Sequence, residues 1–349
     1  MNAPDLSPRN ASARQQLVRQ ITACWRSQAL YSAVQLELPE RLAEGCAPLA
    51  ALAQACQCDA DALARLLRAL CVLRVCRQRR DGGFELTAAG AALCRHPPDG
   101  GVSMRAMALW WGGPLWPMWG ELSYSVRTGH SARARQTGHS HYHFLDGHPD
   151  AASIFHEAMA GMTSLVAPAV ARLESWHGAR SLVDVGGGSG TLGAAIATAH
   201  PQLQLIVFDR EHAEPGALAL LRAQGLSGRA RFVAGDFFAA LPPHADRYLL
   251  KSILHNWDDA ACRRVLACCA EAALPEARLL LVERVRAERM RPTVHDEALV
   301  RTDLNMLAGL GGRERSLREY RDLLTPAGFE IADMFPTPHE FSVIEARRR

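Results

Sequence analysis

An apolar run that ends on a cluster of glycines and resumes as a helix former leaves few folds open to a chain. Leu182-Val183-Asp184-Val185 is such a run. Gly186-Gly187-Gly188-Ser189-Gly190 comes next, and then the helix-forming Thr191-Leu192-Gly193-Ala194-Ala195-Ile196-Ala197. Apolar, β-branched side chains suit a buried strand of a parallel sheet. Glycines at the turn let backbone approach a ligand where any Cβ would stand in the way. Their spacing is G-x-G-x-G, at Gly186, Gly188 and Gly190, and not the dinucleotide G-x-G-x-x-G, because Thr191 holds the last place. The expected ligand is therefore a nucleoside without a pyrophosphate.

Residues beyond the turn sharpen this expectation. A second apolar run, residues 203–208, ends in Asp209, whose carboxylate can accept both hydroxyls of a ribose. A third, residues 230–234, ends in Gly235-Asp236-Phe237-Phe238, which offers an acceptor for an adenine amine beside a ring that can lie on the base. Tyr248-Leu249-Leu250 leads to Lys251, and His255 stands four residues on. Taken singly, Asp209 and Asp236 also suit solvated turns, and Phe237 suits a plain core. Together they fall at successive strand ends, the edge of a parallel sheet where ligands bind. Of the 39 lysine and arginine residues only Lys251 is a lysine. Either codon bias spared one, or a compact ammonium is needed where the flat arginine fork does not fit.

The 349 residues exceed the usual single-domain size, so two domains are expected, at 1–103 and 104–349. A formal charge of +3 gives no electrostatic case for nucleic acid or a membrane surface. The polar, proline-containing start, residues 1–12, lacks the apolar core of a signal peptide, and no run approaches the ~20 apolar residues of a membrane span. The ten cysteines contain no C-x-x-C pair, which favours reduced, mostly buried thiols in a cytoplasmic chain.

The first hundred residues read differently. Helical apolar spacing covers residues 14–43, 48–56 and 60–75, and the turn Asp81-Gly82-Gly83 separates two short extended runs. Helices with such a hairpin after them suggest a winged helix, a module that often binds DNA. The candidate recognition helix, residues 59–75, carries Leu63, Leu66, Leu67, Leu70, Val72 and Leu73 against Arg65, Arg68 and Arg74. So apolar a helix suits packing against a partner better than phosphates. Residues 104–162 are rich in soft, bulky side chains, from Met104, Trp110 and Trp119 to Phe155, Met159 and Met162, and residues 104–170 are expected to contribute to the acceptor pocket. Such a stripe is core, dimer interface or the wall of a flat aromatic pocket. His139, His141, His143 and His148 raise a metal question, but no acidic residue lies inside the run, and solvated loop histidines are the default.

By its ordered motifs the chain resembles the S-adenosylmethionine-dependent O-methyltransferases of the plant caffeate and acetylserotonin type, with their bacterial antibiotic-pathway members. The likeness rests on Leu182 to Gly190, Gly235-Asp236-Phe237-Phe238, and Leu250-Lys251-Ser252-Ile253-Leu254-His255-Asn256-Trp257. It continues through Leu281-Val282-Glu283, Asp303-Leu304-Asn305-Met306-Leu307 and Gly311-Gly312-Arg313-Glu314-Arg315. The resemblance implies a Rossmann-like α/β class I methyltransferase domain preceded by a mainly helical winged-helix dimerisation domain. It implies the methionine moiety near Gly186 and Lys251, the ribose on Asp209, and adenine at Asp236 and Phe237, with Asp184, Gly188 and Gly190 also in the cofactor site. His255 becomes the general base, with Glu283 and Glu314 beside it, and Phe155, Met159, Asn305 and Met306 line the acceptor pocket. No metal is needed, and the N-terminal helices form a homodimer. Asn256 departs from the family, where many relatives carry Asp, and removes a charge next to the base.

Methyl transfer from a sulfonium is an in-line displacement, so alignment can contribute on the order of 7–11 kcal/mol. The acceptor must also lose a proton. A histidine near pKa 6.5 faces a phenol near 10, roughly 5 kcal/mol short of complete prior transfer. Proton loss concerted with attack closes that gap, and a carboxylate on the far ring nitrogen fixes the tautomer. Glu283 is the first expectation for that carboxylate, against ion pairs with Arg284 or Arg286; for Glu314 the bland alternative is a pair with Arg313 or Arg315. Two further functions stay open on sequence grounds: N-methylation of a heteroaromatic, which needs no base, and a winged-helix regulator that senses S-adenosylmethionine.

Overall fold

The computed structural model describes residues 8–349, so most of the polar N-terminal stretch 1–12 lies outside the described residues. The chain divides into two compact units between Trp116 and Pro117. The first contains helices α1 (Pro8–Ile21), α2 (Cys24–Gln35), α3 (Leu38–Ala43), α4 (Leu49–Ala55) and α5 (Ala60–Val72). The hairpin of β1 (Cys76–Gln78) and β2 (Phe84–Leu86) comes next, then α6 (Ala88–Ala91) and α7 (Arg105–Gly112). The pattern of α5 explains its place. Asp59 caps it by accepting from the Ala62 N–H at 2.8 Å. Leu63, Leu67 and Leu70 then share one buried face, each contributing about 1.5–3 kcal/mol. The expected hairpin forms, pairing Cys76 with Leu86 and Gln78 with Phe84. Met104, Ala108 and Leu109 pack on the core of this unit, so residues 104–116 belong with it and not with the second unit.

The second unit is a three-layer α/β/α arrangement around a seven-stranded sheet. Its first helices are α8 (Trp116–Trp119), α9 (Leu122–Thr128), α10 (Ala132–Thr137), α11 (His141–Asp146) and α12 (Pro149–Ala171). The strands are β3 (Ser181–Val185), β4 (Gln204–Asp209), β5 (Ala230–Ala234), β6 (Arg247–Lys251), β7 (Arg278–Glu283), β8 (Val285–Arg286), β9 (Arg315–Ser316), β10 (Phe329–Pro336) and β11 (Ser342–Arg348). Between them run α13 (Thr191–Ala199), α14 (Glu214–Ala223), α15 (Asp259–Ala272), α16 (Val294–Gly309) and α17 (Leu317–Leu324).

The sheet order is β10-β11-β7-β6-β3-β4-β5. Strands β3 to β7 are mutually parallel, while β11 runs antiparallel to β7 and to β10. Alternation along each strand fills two cores. Val183, Val185 and Leu250 face α15 and α17, whereas Leu182, Leu249 and Val282 face α12, α13 and α14. After β5 the chain returns to the other side of β3, which creates a switch point between β3 and β6. In open α/β sheets ligands bind outside the carboxyl ends of the strands at such a point.

Two expectations need correction. Residues 139–148 are not all solvated loop: α11 forms there, and His141 is buried, its imidazole held down to about pKa 3 chiefly by that burial. One helix, α12, is by length and composition apolar enough to cross a membrane. Its Val166, Ala167 and Val170 belong to the core on the α13 side of the sheet, as in a core helix. All ten cysteines are free; five are buried, and Cys24 and Cys46 are exposed.

Candidate active site

The glycine turn is built for close approach. Gly186, Gly188 and Gly190 all adopt positive φ (66°, 56° and 76°), a region that disfavours any side chain. A Cβ on Gly186 would come within 2.4 Å of Ile253 Cδ1, and one on Gly190 within 2.9 Å of Val207 Cγ2, whereas the space beyond Gly188 is open. Asp184, almost wholly buried in β3, accepts from the Gly193 N–H at 3.0 Å and so ties strand to helix. Burial pushes its carboxyl up to about 7 despite that hydrogen bond.

Asp209, at the end of β4, accepts from Gly188 N–H and Arg210 N–H, each at 2.7 Å. A carboxylate has about four lone-pair sites, so it can brace the loop and still receive ribose hydroxyls. Asp236 Oδ1 accepts from Phe238 N–H at 2.8 Å, an Asx turn that presents Phe237. Phe237, Phe238 and Trp257 form one ring cluster, with centroids 4.9 Å apart both for Phe237 with Phe238 and for Phe238 with Trp257. Lys251 ends β6 with its Nζ 4.9 Å over the Phe341 ring. Loss of water around the ammonium, and the Arg284 charge nearby, lower its pKa to about 8. These groups fit a nucleoside bearing a charged amino-acid tail: a backbone cradle, a ribose acceptor, an aromatic wall and a compact cation.

His255 lies beyond β6 on a short 3-10 turn, Leu254–Asn256, reached through Ser252 in the left-handed region at φ 55°. Such strain in a non-glycine residue costs of order 1–3 kcal/mol and is typical of functional turns. Three clamps hold this turn. Glu283 Oε1 accepts from the N–H groups of Ile253 and Leu254 at 3.0 and 2.9 Å. Arg315 donates to the carbonyls of Leu254 and Trp257 at 2.8 and 2.7 Å and to Asp259 Oδ1 at 2.8 Å. Asn256 Nδ2 donates to the Ser252 carbonyl at 2.9 Å.

The imidazole faces two carboxylates. His255 Nδ1 is 3.2 Å from Glu314 Oε1 and 3.8 Å from Glu283 Oε2. Glu314, expected second, is thus the hydrogen-bonded partner, and Glu283 chiefly holds the backbone of the turn. The bland ion pairs do not form: Arg286 goes to Glu319, while Arg313 and Arg315 go to Asp259. Arg284 does approach Glu314, at 3.9 Å. Burial alone would depress the imidazole, but Glu314 and Glu283 outweigh it and His255 is raised above its ordinary value. Glu314 is lowered, because His255 and Arg284 overcome its burial, whereas burial dominates at Glu283 and raises it. Among the described residues nothing hydrogen-bonds Nε2, so that nitrogen is available to a substrate.

Of the acceptor residues, Asn305 and Met306 are buried on α16, and the Asn305 Oδ1 makes no hydrogen bond. The same helix supplies Asp303, whose Oδ1 accepts from Glu314 N–H at 2.8 Å. Phe155 and Met159 sit half-buried on α12, with the Phe155 ring 5.1 Å from that of His141. His255, Glu283 and Glu314 are also the one group of three metal-capable side chains within reach of a single ion among the described residues. Glu283 Oε1 already serves two N–H donors, and the Arg284 cation 3.9 Å from Glu314 opposes a second cation there.

Gly312 escapes motif reasoning from single residues: a Cβ there would lie 2.1 Å from the His255 carbonyl oxygen. The adjacent Arg313 N–H donates to that same oxygen at 2.9 Å. The paired glycines Gly311-Gly312 are the only sequence signal of this contact.

A parallel sheet with its switch point between β3 and β6 and a glycine turn after β3 is the layout of a class I methyltransferase. Residues 119–330 match the O-methyltransferase domain family, and residues 18–96 match the O-methyltransferase dimerisation domain. The chain is 33% identical over 331 residues to phenazine O-methyltransferase PhzM of Lysobacter antibioticus, covering 95% of each. The crystal structure of LaPhzM superposes with a TM-score of 0.90 at 33% identity, over 97% of this chain and 99% of that one. NcsB1, an O-methyltransferase of neocarzinostatin biosynthesis solved with S-adenosylmethionine and 2-hydroxy-5-methyl naphthoic acid, gives a TM-score of 0.77 at 32% identity, over 93% and 96%. The chain belongs to the O-methyltransferase family, and it is an S-adenosylmethionine-dependent O-methyltransferase.

Proposed function

We propose that the enzyme methylates a hydroxyl of an aromatic or polyketide-like small molecule of a bacterial specialised pathway, with His255 as general base. The observation that carries this is the buried hydrogen bond from His255 Nδ1 to Glu314, 59 residues away, at the sheet edge that bears the glycine cradle. Bound there, S-adenosylmethionine supplies an electrophilic methyl on a sulfonium and leaves as S-adenosylhomocysteine. Gly186, Gly188 and Gly190 give its methionine part room beside Asp184 and Lys251. Asp209 takes the ribose, and Asp236 and Phe237 take the adenine. Phe155, Met159, Asn305 and Met306 grip the acceptor ring and hold its oxygen in line. Glu314 keeps Nδ1 protonated, so the Nε2 lone pair removes the hydroxyl proton as attack proceeds. A ring nitrogen acceptor would need no such base, which places hydroxyls first.

The dimerisation domain and the exposed Leu17, Val18, Ile21 and Trp25 on α1 and α2 support a homodimer through the N-terminal helices. We place the enzyme in the cytoplasm, without nucleic acid, membrane or metal partners. The test is incubation with S-adenosylmethionine and a panel of hydroxylated benzoates, naphthoates and phenazines, read by mass spectrometry, with and without a chelator. Gain of one methyl group on oxygen, unchanged by the chelator, is expected. No transfer to any panel member, or loss of transfer with the chelator, would contradict the acceptor class or the metal-free chemistry respectively.

Asp209→Ala removes the acceptor for two ribose hydroxyls and the brace on Gly188 N–H. Each lost charge-assisted hydrogen bond is worth roughly 1.5–3 kcal/mol, so affinity for S-adenosylmethionine should fall at least about tenfold in calorimetric titration. Unaltered affinity would mean that the ribose sits elsewhere.

A further inference from the structure

Arg284 comes directly after Glu283 and is 4% exposed. Its guanidinium lies 4.2 Å over the Phe341 ring, and its Nε donates to Glu340 Oε2 at 3.1 Å. With one face on an aromatic ring and one edge on a carboxylate, the planar fork has a single orientation. That orientation brings Nη1 to 3.9 Å from Glu314 Oε1, the oxygen that is also nearest His255 Nδ1. Glu340 is anchored in turn by Arg301 at 3.7 Å.

The charges around the base make sense of this placement. One imidazole is flanked by two buried carboxylates, Glu283 and Glu314. Left alone, two negative charges would hold the ring as imidazolium, which cannot accept a proton. A fixed cation beside Glu314 offsets one of them. Other groups surround the pair: Tyr320 and Lys251 lie in the field of both carboxylates, Asp303 near Glu314, Tyr142 and Cys262 near Glu283, and the Thr302 hydroxyl hydrogen-bonds Glu314. Of these, Lys251 is the other cation, and it shares the Phe341 ring with Arg284.

We propose that Arg284 is a positioning residue for the reaction: it holds Glu314 ionised and turned to Nδ1, and its charge offsets the two carboxylates so that the imidazole of His255 can give up its proton and serve as a base. This rests on the reading of His255 as the base. Arg284 pairs with Glu314 and Glu340 and stacks on Phe341, so its effect on His255 runs through Glu314. Charge fixes the sign of its effect. Removing the cation strengthens the field of both carboxylates on the ring, so the imidazole binds its proton more tightly and titrates at higher pH.

The first arm of the test needs no acceptor. Histidine-labelled enzyme is titrated by nitrogen NMR, the His255 signals being assigned by their loss in His255→Ala. In Arg284→Gln the His255 midpoint moves to higher pH, and Arg284→Lys, a cation without the fork, moves it the same way by less. Transfer to the most active panel acceptor then falls about three- to tenfold below the midpoint and recovers above it. A midpoint unmoved or lowered in both variants would overturn the proposal, as would equal loss of transfer at every pH, the mark of a merely structural role. If Arg284→Gln fails to bind S-adenosylmethionine, Arg284→Lys alone decides. Full activity of His255→Ala would defeat the base instead, whatever the titration shows.

Discussion

His255→Ala is expected to lower kcat on a hydroxyl acceptor by about 10² to 10⁴ while leaving affinity for S-adenosylmethionine nearly unchanged. The split comes from the geometry. The imidazole meets Glu314 and Glu283, whereas the groups assigned to the cofactor are the glycine turn, Asp209, Asp236 and Phe237 at other strand ends and Lys251 at the end of β6, four residues before His255. Truncation therefore removes the proton acceptor and keeps the cradle. It also leaves Glu314 buried beside Arg284, so that carboxylate keeps one counter-charge and the fold should survive. Steady-state kinetics with calorimetry on the same preparation checks both halves. Full turnover in the variant would remove the base, and a parallel loss of cofactor affinity would mean that the ring serves the cofactor site.

Gly312→Ala should be nearly as damaging although it touches no substrate. The new Cβ would sit 2.1 Å from the His255 carbonyl oxygen and 2.8 Å from the Asn256 carbonyl carbon. Both are backbone, and that backbone is pinned by Glu283 and Arg315, so relief must come from moving the turn. Overpacking of this kind costs about 1–3 kcal/mol of stability. Displacing a catalytic group by about 1 Å can cost 10²-fold in rate. Turnover should fall by about that factor with cofactor affinity retained, and thermal unfolding should come a few degrees earlier. A variant of wild-type rate would show that the 311–314 loop yields without moving His255.

Much of the cofactor side is legible in the residues themselves. The strand, glycine turn and helix of residues 182–197 carry their own physics, because three positive φ values in five residues, two of them with a neighbour too close for a Cβ, favour glycine. Asp209 and Lys251 end β4 and β6 as expected, and Asp236 lies just beyond β5. Alternation could not reveal which carboxylate meets the imidazole. That choice depends on how the 311–315 loop returns over the turn, set by a clamp from Arg315 to carbonyls 58 and 61 residues earlier. Spacing rules see neighbours along a helix or strand, not such closures. The same blindness makes α11 look like loop: His141 is buried there with Leu145, but histidine and glycine around it mimic a solvated turn. Residues 104–116 are drawn to the second domain by their likeness to a pocket wall, whereas Met104, Ala108 and Leu109 complete the core of the first.

The central claim is that a protein base takes the acceptor's proton during methyl transfer. It is tested most directly by single-turnover rates for a series of ring-substituted phenolic acceptors of graded acidity, in wild type and in His255→Ala, each saturated with S-adenosylmethionine. The deficit of the variant should be smallest for the most acidic phenol, which ionises without help, and should widen steadily as acceptor pKa rises toward about 10. A deficit that stays constant across the series would show that His255 only positions the acceptor, and the general-base account would fall.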